Sequence, residues 1–345
     1  MQVDYIIVGL GLAGLAFAEE LLQNQKSFIV FENDSQRSSL VAAGVYNPIV
    51  LKRFNAVWNV QEQLKIALPF YKTLEKKLHN KYDQKIDIHR IFASVEEQNN
   101  WFAASDKPVL SDYMHPKIIK NSNRAINAPF GFGRLSRTGR IDTNKLLSDY
   151  RKYLSDKGIV KKEEFEHDQI QFENDIINYK GTKATKIVFC EGFGLKKNPY
   201  FKDLPMEEAK GELLTIHAPK LKLDVIMKAS IFIQPLENDM YKIGATFNWD
   251  DKTSKPTEGA KKELLDKLDA IINVDYKVVD HVAGIRPTTR DRRPLVGLHK
   301  KHTQLAILNG LGTRGVILAP SMAKSLYKCL EHQKQLSKEI SIGRF

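Results

Sequence analysis

The N-terminal segment of the chain alternates between apolar runs and an amphipathic stretch. Residues Asp4–Val8 and Phe28–Glu32 are short runs rich in β-branched and aromatic residues, and Leu12–Gln23 between them repeats apolar residues with helical spacing. A strand, a helix and a second strand in this order form a βαβ unit, in which the two strands lie parallel. We therefore predict that the chain begins with an α/β domain.

The pattern changes further along the chain. Helical spacing extends from about residue 56 to 81 and is interrupted at Pro69, where we expect a kink or a break. From Ile86 onward, short alternating segments with turn-rich connections predict an antiparallel region. Further strands are predicted at 88–94, 186–190, 212–217, 230–235, 241–246 and 304–308, and further helices at 142–155, 258–272 and 319–332.

The turn between the first strand and the first helix matches the GxGxxG pattern of dinucleotide-binding sites. In such a turn Gly9 makes the tight bend, Gly11 lets the backbone approach a pyrophosphate, and Gly14 lets the helix pack against the strand. The free N–H groups at the helix start suit phosphates. Glu32, at the end of the next strand, can accept hydrogen bonds from a ribose. The predicted contacts are Gly9, Gly11, Leu12, Ala13, Gly14 and Glu32.

The predicted fold class is α/β, with two domains, which suits a length of 345 residues. We assign residues 1–85, 140–210 and 284–345 to a discontinuous Rossmann-like domain that binds the dinucleotide. Residues 86–139 and 211–283 are assigned to an α+β substrate domain with a mostly antiparallel sheet.

Composition restricts the location and the partners of the protein. The two cysteines, Cys190 and Cys329, form no CxxC pair, and the N-terminus has no basic start before its apolar run. No apolar run is long enough to cross a membrane. We expect a cytoplasmic protein without a membrane segment and without a metal, since His299 and His302 have no metal-ligand spacing. The net charge of +12 leaves an anionic partner such as RNA open, although the lysines are scattered.

Four further segments, in this order and spacing, resemble the D-amino acid oxidase family of flavoenzymes, in particular its glycine and sarcosine oxidase-like members. The sequence is also similar to the FAD domain of the bifunctional enzyme that makes 5-methylaminomethyl-2-thiouridine in tRNA. The four segments are Ala42-Ala43-Gly44-Val45, the pair Ile231–Pro235 with Ile243–Thr246, Ala283–Pro287 with Asp291 and Pro294, and Asn309–Gly315 with Ala319-Pro320.

The resemblance implies an enzyme that carries non-covalent FAD and oxidises the C–N bond of a carboxylated primary or secondary amine. In the family, hydride passes to flavin N5 and water hydrolyses the resulting imine. Electrons then leave to oxygen or to another acceptor, and the sequence leaves both open.

Three segments are expected to contact the flavin nucleotide in addition to the first turn. Small residues at 42–44 fit a backbone that runs beside an aromatic ring, the turn at 190–192 matches the family's turn near the adenine, and the last glycine-rich loop opens a helix whose N–H groups suit negative charge on the flavin. Cys190-Glu191 departs from the family's usual Ala-Thr or Ala-Ser. The predicted contacts are Ala42, Ala43, Gly44, Cys190, Glu191, Gly192, Gly310, Leu311, Gly312, Thr313, Arg314 and Gly315.

Three residues are the candidates for the substrate site. Arg286, which precedes Pro287 and so favours an extended backbone, matches the family's carboxylate-binding arginine, although an arginine paired to an internal acid is the structural alternative. Phe232 stands where relatives often have a tyrosine that helps to bind the carboxylate. Tyr46 is the candidate to supply the missing hydroxyl.

Two other functions stay open. The chemistry could act on a wobble uridine of tRNA that bears a carboxymethylaminomethyl group, which the Gly-Leu-Gly-Thr-Arg-Gly loop and the positive charge favour. The chain could also be a flavin-binding protein without catalytic activity, which Phe232 and the altered 190–191 turn would fit.

Overall fold

The computed structural model describes residues 1–33 and 38–345. The strands are β1 (Gln2–Val8), β2 (Phe28–Glu32), β3 (Val45–Tyr46), β4 (Ile49–Val50), β5 (Asn55–Ala56), β6 (Asp83–Lys85), β7 (Ile88–Ile91), β8 (Phe132–Leu135), β9 (Gly139–Ile141), β10 (Val160–Lys162), β11 (Ile170–Glu173), β12 (Ile176–Tyr179), β13 (Thr182–Phe189), β14 (Met206–His217), β15 (Ile226–Lys228), β16 (Phe232–Pro235), β17 (Met240–Gly244), β18 (Lys277–Thr289), β19 (Leu295–Leu298) and β20 (Leu305–Asn309). The helices are α1 (Leu12–Gln23), α2 (Ser38–Val41), α3 (Val60–Leu78), α4 (Val95–Ser105), α5 (Thr143–Ser155), α6 (Glu258–Asp269) and α7 (Gly315–His332), with 3₁₀ turns at His167–Gln169, Gly192–Lys197, Gly312–Arg314 and Ile342–Arg344.

The larger sheet is a mixed one with a parallel centre. Its order is β10-β2-β1-β13-β12-β11, with β20 beside β13 and β19 beside β20. The strands β10, β2, β1, β13 and β20 are parallel to their neighbours in this series. Because the carboxyl ends of β1, β2, β13 and β20 meet at one edge, the loops that follow them lie side by side there.

Burial on both faces explains the continuous apolar runs of the larger sheet. Along β1, Tyr5 and Ile7 belong to a core formed with α1, α3, α5 and α7. Ile6 and Val8 belong to a second core on the opposite face. A parallel strand covered on both sides needs apolar residues at every position, as the sequence has here.

The smaller sheet has seven strands in the order β18-β14-β17-β16-β15-β7-β8. One face packs on α6, where Leu264 and Leu268 meet Ile233 and Ile243. The other face looks into the cavity described below. Its pairing is antiparallel except between β15 and β7.

The predicted α/β fold class is confirmed, with differences in single elements. Helix α3 runs through Pro69 without the expected break. Pro69 and Lys65, whose carbonyl loses its amide donor, are both exposed, so water can bind that carbonyl. Helix α4 was not predicted, although Ser94 accepts a hydrogen bond from the Glu97 N–H and the Ser-x-x-Glu spacing is a helix-start signal. Strands β15 and β18 were also missed. The domain boundaries given above stay a prediction.

None of the helices in the described part of the chain combines the length and the apolar content needed to cross a membrane. The cellular location of the protein stays a prediction.

Candidate active site

A cavity of about 1040 Å³ lies between the carboxyl edge of the larger sheet and the inner face of the smaller one. Loops after β1, β2, β13 and β20 line it from one side, and β14, β15, β16 and β18 from the other. Pockets for drug-sized ligands rarely exceed about 1,000 Å³, so this cavity has room for a large cofactor together with a small substrate.

The glycine-rich turn after β1 adopts a conformation that other residues could not. Gly9 has a φ of +93°, and a Cβ on Gly14 would lie 2.0 Å from the Gly9 carbonyl oxygen. Gly9, Gly11, Leu12 and Ala13 line the cavity, whereas Gly14 allows α1 to approach the turn. The positive φ of Gly9 and the close packing at Gly14 agree with the turn and the helix approach predicted for them, whereas the contact of Gly11 with a pyrophosphate stays a prediction.

Glu32 lies in the cavity wall and is bound by an arginine that the sequence did not single out. Arg151 Nε donates to Glu32 Oε1 at 2.8 Å and to Oε2 at 3.0 Å, and its Nη2 donates to the Leu10 carbonyl at 3.1 Å. Arg151 thus links the acid to the glycine-rich turn. It also lines the cavity and adds a positive charge beside the place predicted for the phosphates.

Residues 42–44 line the cavity, but Gly44 is small for a different reason from the one predicted. Its φ is +70°, and a Cβ there would lie 1.9 Å from the Ile141 carbonyl oxygen. Gly44 O in turn accepts a hydrogen bond from Ile141 N–H at 2.9 Å. The close approach of β9 by itself requires glycine here, and the contact of residues 42–44 with the flavin ring stays a prediction.

The turn after β13 also reaches the cavity through Cys190, Glu191 and Gly192. Glu191 lies 2.7 Å from His167 Nε2 and accepts from Asn198 Nδ2 at 2.8 Å. Burial raises the pKa of the Cys190 thiol, which keeps it protonated. A Cβ on Gly192 would meet nothing within 4 Å, so the backbone is bare on the cavity side.

The last glycine-rich loop divides between the cavity and the protein interior. Leu311, Gly312, Thr313 and Gly315 line the cavity. Gly310 instead packs beside Thr289 and Leu295. Arg314 is not among the cavity-lining residues either, and burial together with the charges of Arg292 and Arg293 lowers its pKa. In this loop, the candidate cofactor contacts are therefore the four residues that line the cavity: Leu311, Gly312, Thr313 and Gly315.

Arg286 extends from β18 across β14 into the cavity. Its guanidinium lies over Gly211, where a Cβ would be 1.9 Å from Nη2. Both terminal nitrogens donate to the Thr246 carbonyl at 3.2 Å, and the guanidinium carbon lies 4.1 Å from the centre of the Phe247 ring. No carboxylate of the described residues pairs with Arg286, and burial lowers its pKa to about 10. The internal ion pair offered as the structural alternative is thus not seen.

A buried lysine holds the loop that covers Arg286. Lys210 is fully buried, and its Nζ lies 2.5 Å from Asp251 Oδ2 and 3.3 Å from Glu212 Oε1. The hydrogen bond from Lys210 lowers the pKa of Asp251 to about 2. Residues 245–257, which carry the Thr246 carbonyl and the Phe247 ring, are thereby fixed over the guanidinium.

Phe232 lines the cavity, but Tyr46 does not. Tyr46 is buried, and its hydroxyl donates to Asp83 Oδ1 at 2.8 Å and accepts from Lys85 Nζ at 2.9 Å. The hydroxyl therefore ties β3 to β6, and the structure does not bring it to Arg286. Tyr46 is removed from the candidate substrate site.

Arg151, His167, Gly211, Lys228 and Phe247 also line the cavity, and sequence analysis did not identify them. Arg151 lies within the helix predicted at 142–155, and no motif there marks it as a cavity residue. The contribution of the other four depends on strand register and loop path, which no local motif indicates.

The glycine-rich turn at the edge of the larger sheet and the cavity beside it are typical of a dinucleotide-binding protein. Residues 4–328 match the model of the DAO family, described as FAD dependent oxidoreductase, and the chain belongs to that family. FAD is the cofactor of this family. The open backbone at Gly192 and Gly312 and the volume of the cavity fit FAD.

The chain is also similar to individual proteins of known name. The chain is 23% identical to the glycine oxidase of Bacillus subtilis over 342 residues, 92% of this chain and 90% of that protein. It is 25% identical over 186 residues to the tRNA 5-methylaminomethyl-2-thiouridine biosynthesis bifunctional protein MnmC of Marinobacter nauticus. That match covers 48% of this chain and only 30% of the relative's length. The structure of Bacillus cereus glycine oxidase superposes with a TM-score of 0.79 at 18% identity, over 96% of each chain.

Proposed function

We propose that this FAD-dependent oxidoreductase oxidises the C–N bond of a carboxylated primary or secondary amine of the glycine, sarcosine or D-amino acid type. The observation that carries the proposal is the partly buried guanidinium of Arg286, which faces the cavity, is hydrogen-bonded only to carbonyl oxygens and has no acid partner among the described residues. A partly desolvated cation of this kind is stabilised by a carboxylate from a ligand.

The residues of the chain have separate tasks in this reaction. Arg286 binds the carboxylate with two N–H donors, which fixes the direction of the neighbouring C–H bond. Phe232 and Phe247 supply apolar walls beside it. FAD, when bound, supplies the two-electron acceptor. The first N–H groups of α7 have no acceptor within the helix, and they suit negative charge at that end of the cavity.

The test is to mix the purified yellow protein with glycine, sarcosine and D-amino acids without oxygen and to follow bleaching of the flavin absorbance. We expect bleaching by at least one of these amines. Arg286→Met should then raise the substrate concentration for half-maximal bleaching by about 100-fold, because a charge-assisted pair is lost. Failure of every one of these amines to bleach the flavin would overturn the proposal and leave the tRNA substrate and the non-catalytic alternative.

One observation favours the tRNA substrate as a second candidate. Phe247 and Trp249 are 58% and 47% exposed, and their ring centres lie 6.5 Å apart beside the cavity that Phe247 lines. Exposed aromatic rings are platforms on which nucleobases stack. Bleaching by tRNA bearing carboxymethylaminomethyluridine, with no bleaching by free amino acids, would select this candidate. Trp249→Ala should weaken that tRNA binding, and free glycine should be unaffected by the change.

A further inference from the structure

A second cation faces the cavity on the same sheet as Arg286. Lys228 lies in one cross-strand row with Leu213, Gly244 and Phe232, since Leu213 pairs with Gly244, Gly244 with Phe232, and Phe232 with Lys228. Paired residues in a row point to the same face of a sheet. Lys228 and Phe232 accordingly both line the cavity.

Three basic residues meet at this corner, and two of them have acid partners. Arg90 is bound by Glu97, with Nε–Oε1 and Nη2–Oε1 distances of 2.8 Å and 2.7 Å. Lys267 is bound by Glu263. The ammonium group of Lys228 has no hydrogen bond or ion pair among the described residues, and burial lowers its pKa to about 8. Lys228 is partly buried in the cavity wall, and a partly desolvated ammonium without an acid partner favours an anionic group from a ligand.

The position of this corner limits what can supply the charge. The guanidinium of Arg286 lies over Gly211 on β14, and Lys228 is on β15, three strands away in the order β14-β17-β16-β15. At about 4.8 Å per strand the two backbones are roughly 14 Å apart. A glycine-sized amine spans about 3.5 Å. A glycine-sized substrate is therefore much shorter than the separation between the strand that carries Lys228 and the strand under the Arg286 guanidinium.

We propose that Lys228 determines specificity by binding a second anionic group, a carboxylate at the far end of an amine substrate whose first carboxylate is bound by Arg286. The substrate class is then an elongated dicarboxylic amine. This inference rests on the proposed function for the role of Arg286, and it adds the residue that distinguishes such substrates from glycine.

The experiment uses FAD-loaded enzyme and N-(carboxyalkyl)glycines of increasing chain length, each compared with its terminal carboxamide. The measured quantity is the ratio of kcat/KM for the acid to kcat/KM for the amide. We expect a ratio of at least tenfold at the chain length that spans the cavity. Lys228→Met should reduce that ratio to near one, and Lys228→Arg should retain most of it.

The control is Lys222→Met, which removes the same charge from an exposed lysine bound to Asp239. It should leave the ratio unchanged. An equal acid and amide rate in the wild-type enzyme at every length would overturn the inference, as would a ratio that survives in Lys228→Met. A loss of kcat for both acid and amide in Lys228→Arg would assign the residue to proton transfer instead, and would also overturn it.

A binding measurement separates this inference from the proposed function. Straight-chain dicarboxylates and their monoamides, none of which can be oxidised, are titrated against the flavin spectrum. Tighter binding of the dicarboxylate that requires both Lys228 and Arg286 would support the inference even if no amine bleached the flavin. Bleaching by glycine with equal affinity for diacid and monoamide would retain the proposed function and reject the second anion site.

Discussion

The two sides of the cavity are built in different ways. The side formed by the larger sheet includes glycine-containing backbone from the turns that directly follow β1, β13 and β20, beside side chains such as Glu32 and Arg151. The side formed by the smaller sheet presents side chains from four strands, with Arg286 and Lys228 almost 60 residues apart in sequence. A nucleotide-binding surface can thus be encoded in one short motif, whereas the substrate surface depends on the pairing of distant strands.

Gly14→Ala should have the largest effect, because it disrupts the glycine-rich turn on the larger-sheet side of the cavity. The new Cβ would lie 2.0 Å from the Gly9 carbonyl oxygen, and backbone cannot move aside as a side chain can. We expect purified protein without bound FAD, measured as the ratio of flavin to protein absorbance. Gly259→Ala, at an exposed helix position with nothing within 4 Å, is the control and should keep FAD and gain up to about 1 kcal/mol of stability.

Gly211→Ala should break the side-chain half of the cavity and leave the nucleotide half intact. Its Cβ would occupy the place of the Arg286 guanidinium, 1.9 Å from Nη2. We expect FAD to be retained and KM for a carboxylated amine to rise by about 10- to 100-fold, as for a displaced charge-assisted contact.

A double-mutant cycle checks this explanation. In the Arg286→Met background, Gly211→Ala should add little further loss, because the guanidinium that it displaces is already gone. Additive losses from the two substitutions would show that Gly211 acts independently of Arg286.

The sequence predicted the backbone side well and the side-chain side in part. The tight turn at Gly9 and the close helix approach at Gly14 were predicted from neighbours within a few residues, and the geometry agrees with both. Arg286 was found only because the Gly-Ile-Arg-Pro segment resembles a family motif. Gly211 carries no local signal, because its smallness matters only where β14 passes under a side chain of β18.

Tyr46 and Lys228 illustrate the same limit from opposite directions. Tyr46 follows the cavity-lining residues 42–45 in sequence, yet its hydroxyl is directed to Asp83 on a neighbouring strand. Lys228 stands in a strand that the sequence did not predict, yet the register of β15 and β16 aligns it with Phe232. Sequence proximity therefore placed Tyr46 near the cavity, where its hydroxyl does not lie. Lys228 was missed because the pairing of its strand was not predicted.

Phe232→Tyr tests whether the edge of the Phe232 ring faces the carboxylate of the bound substrate. The Phe232 ring lies over Gly244, with Cζ 2.9 Å from the Cβ position of that glycine and close to Leu213 of β14. A hydroxyl on Cζ would therefore point toward the strand over which the Arg286 guanidinium lies. We expect KM for glycine or sarcosine to fall by up to about tenfold through one added hydrogen bond to the carboxylate. An unchanged KM would mean that the ring edge faces away from the bound carboxylate.

Tyr46→Phe should have the smallest effect on activity and a measurable effect on stability. The substitution leaves Asp83 and Lys85 without the hydroxyl that both of them contact, at a buried position where a lost hydrogen bond costs about 1 kcal/mol. Thermal or denaturant unfolding of the FAD-loaded protein should record that loss, while kcat/KM stays within about twofold of the wild type. A selective rise in KM at unchanged stability would return Tyr46 to the substrate site and would show that sequence proximity, rather than the observed hydrogen bonds, was the better guide.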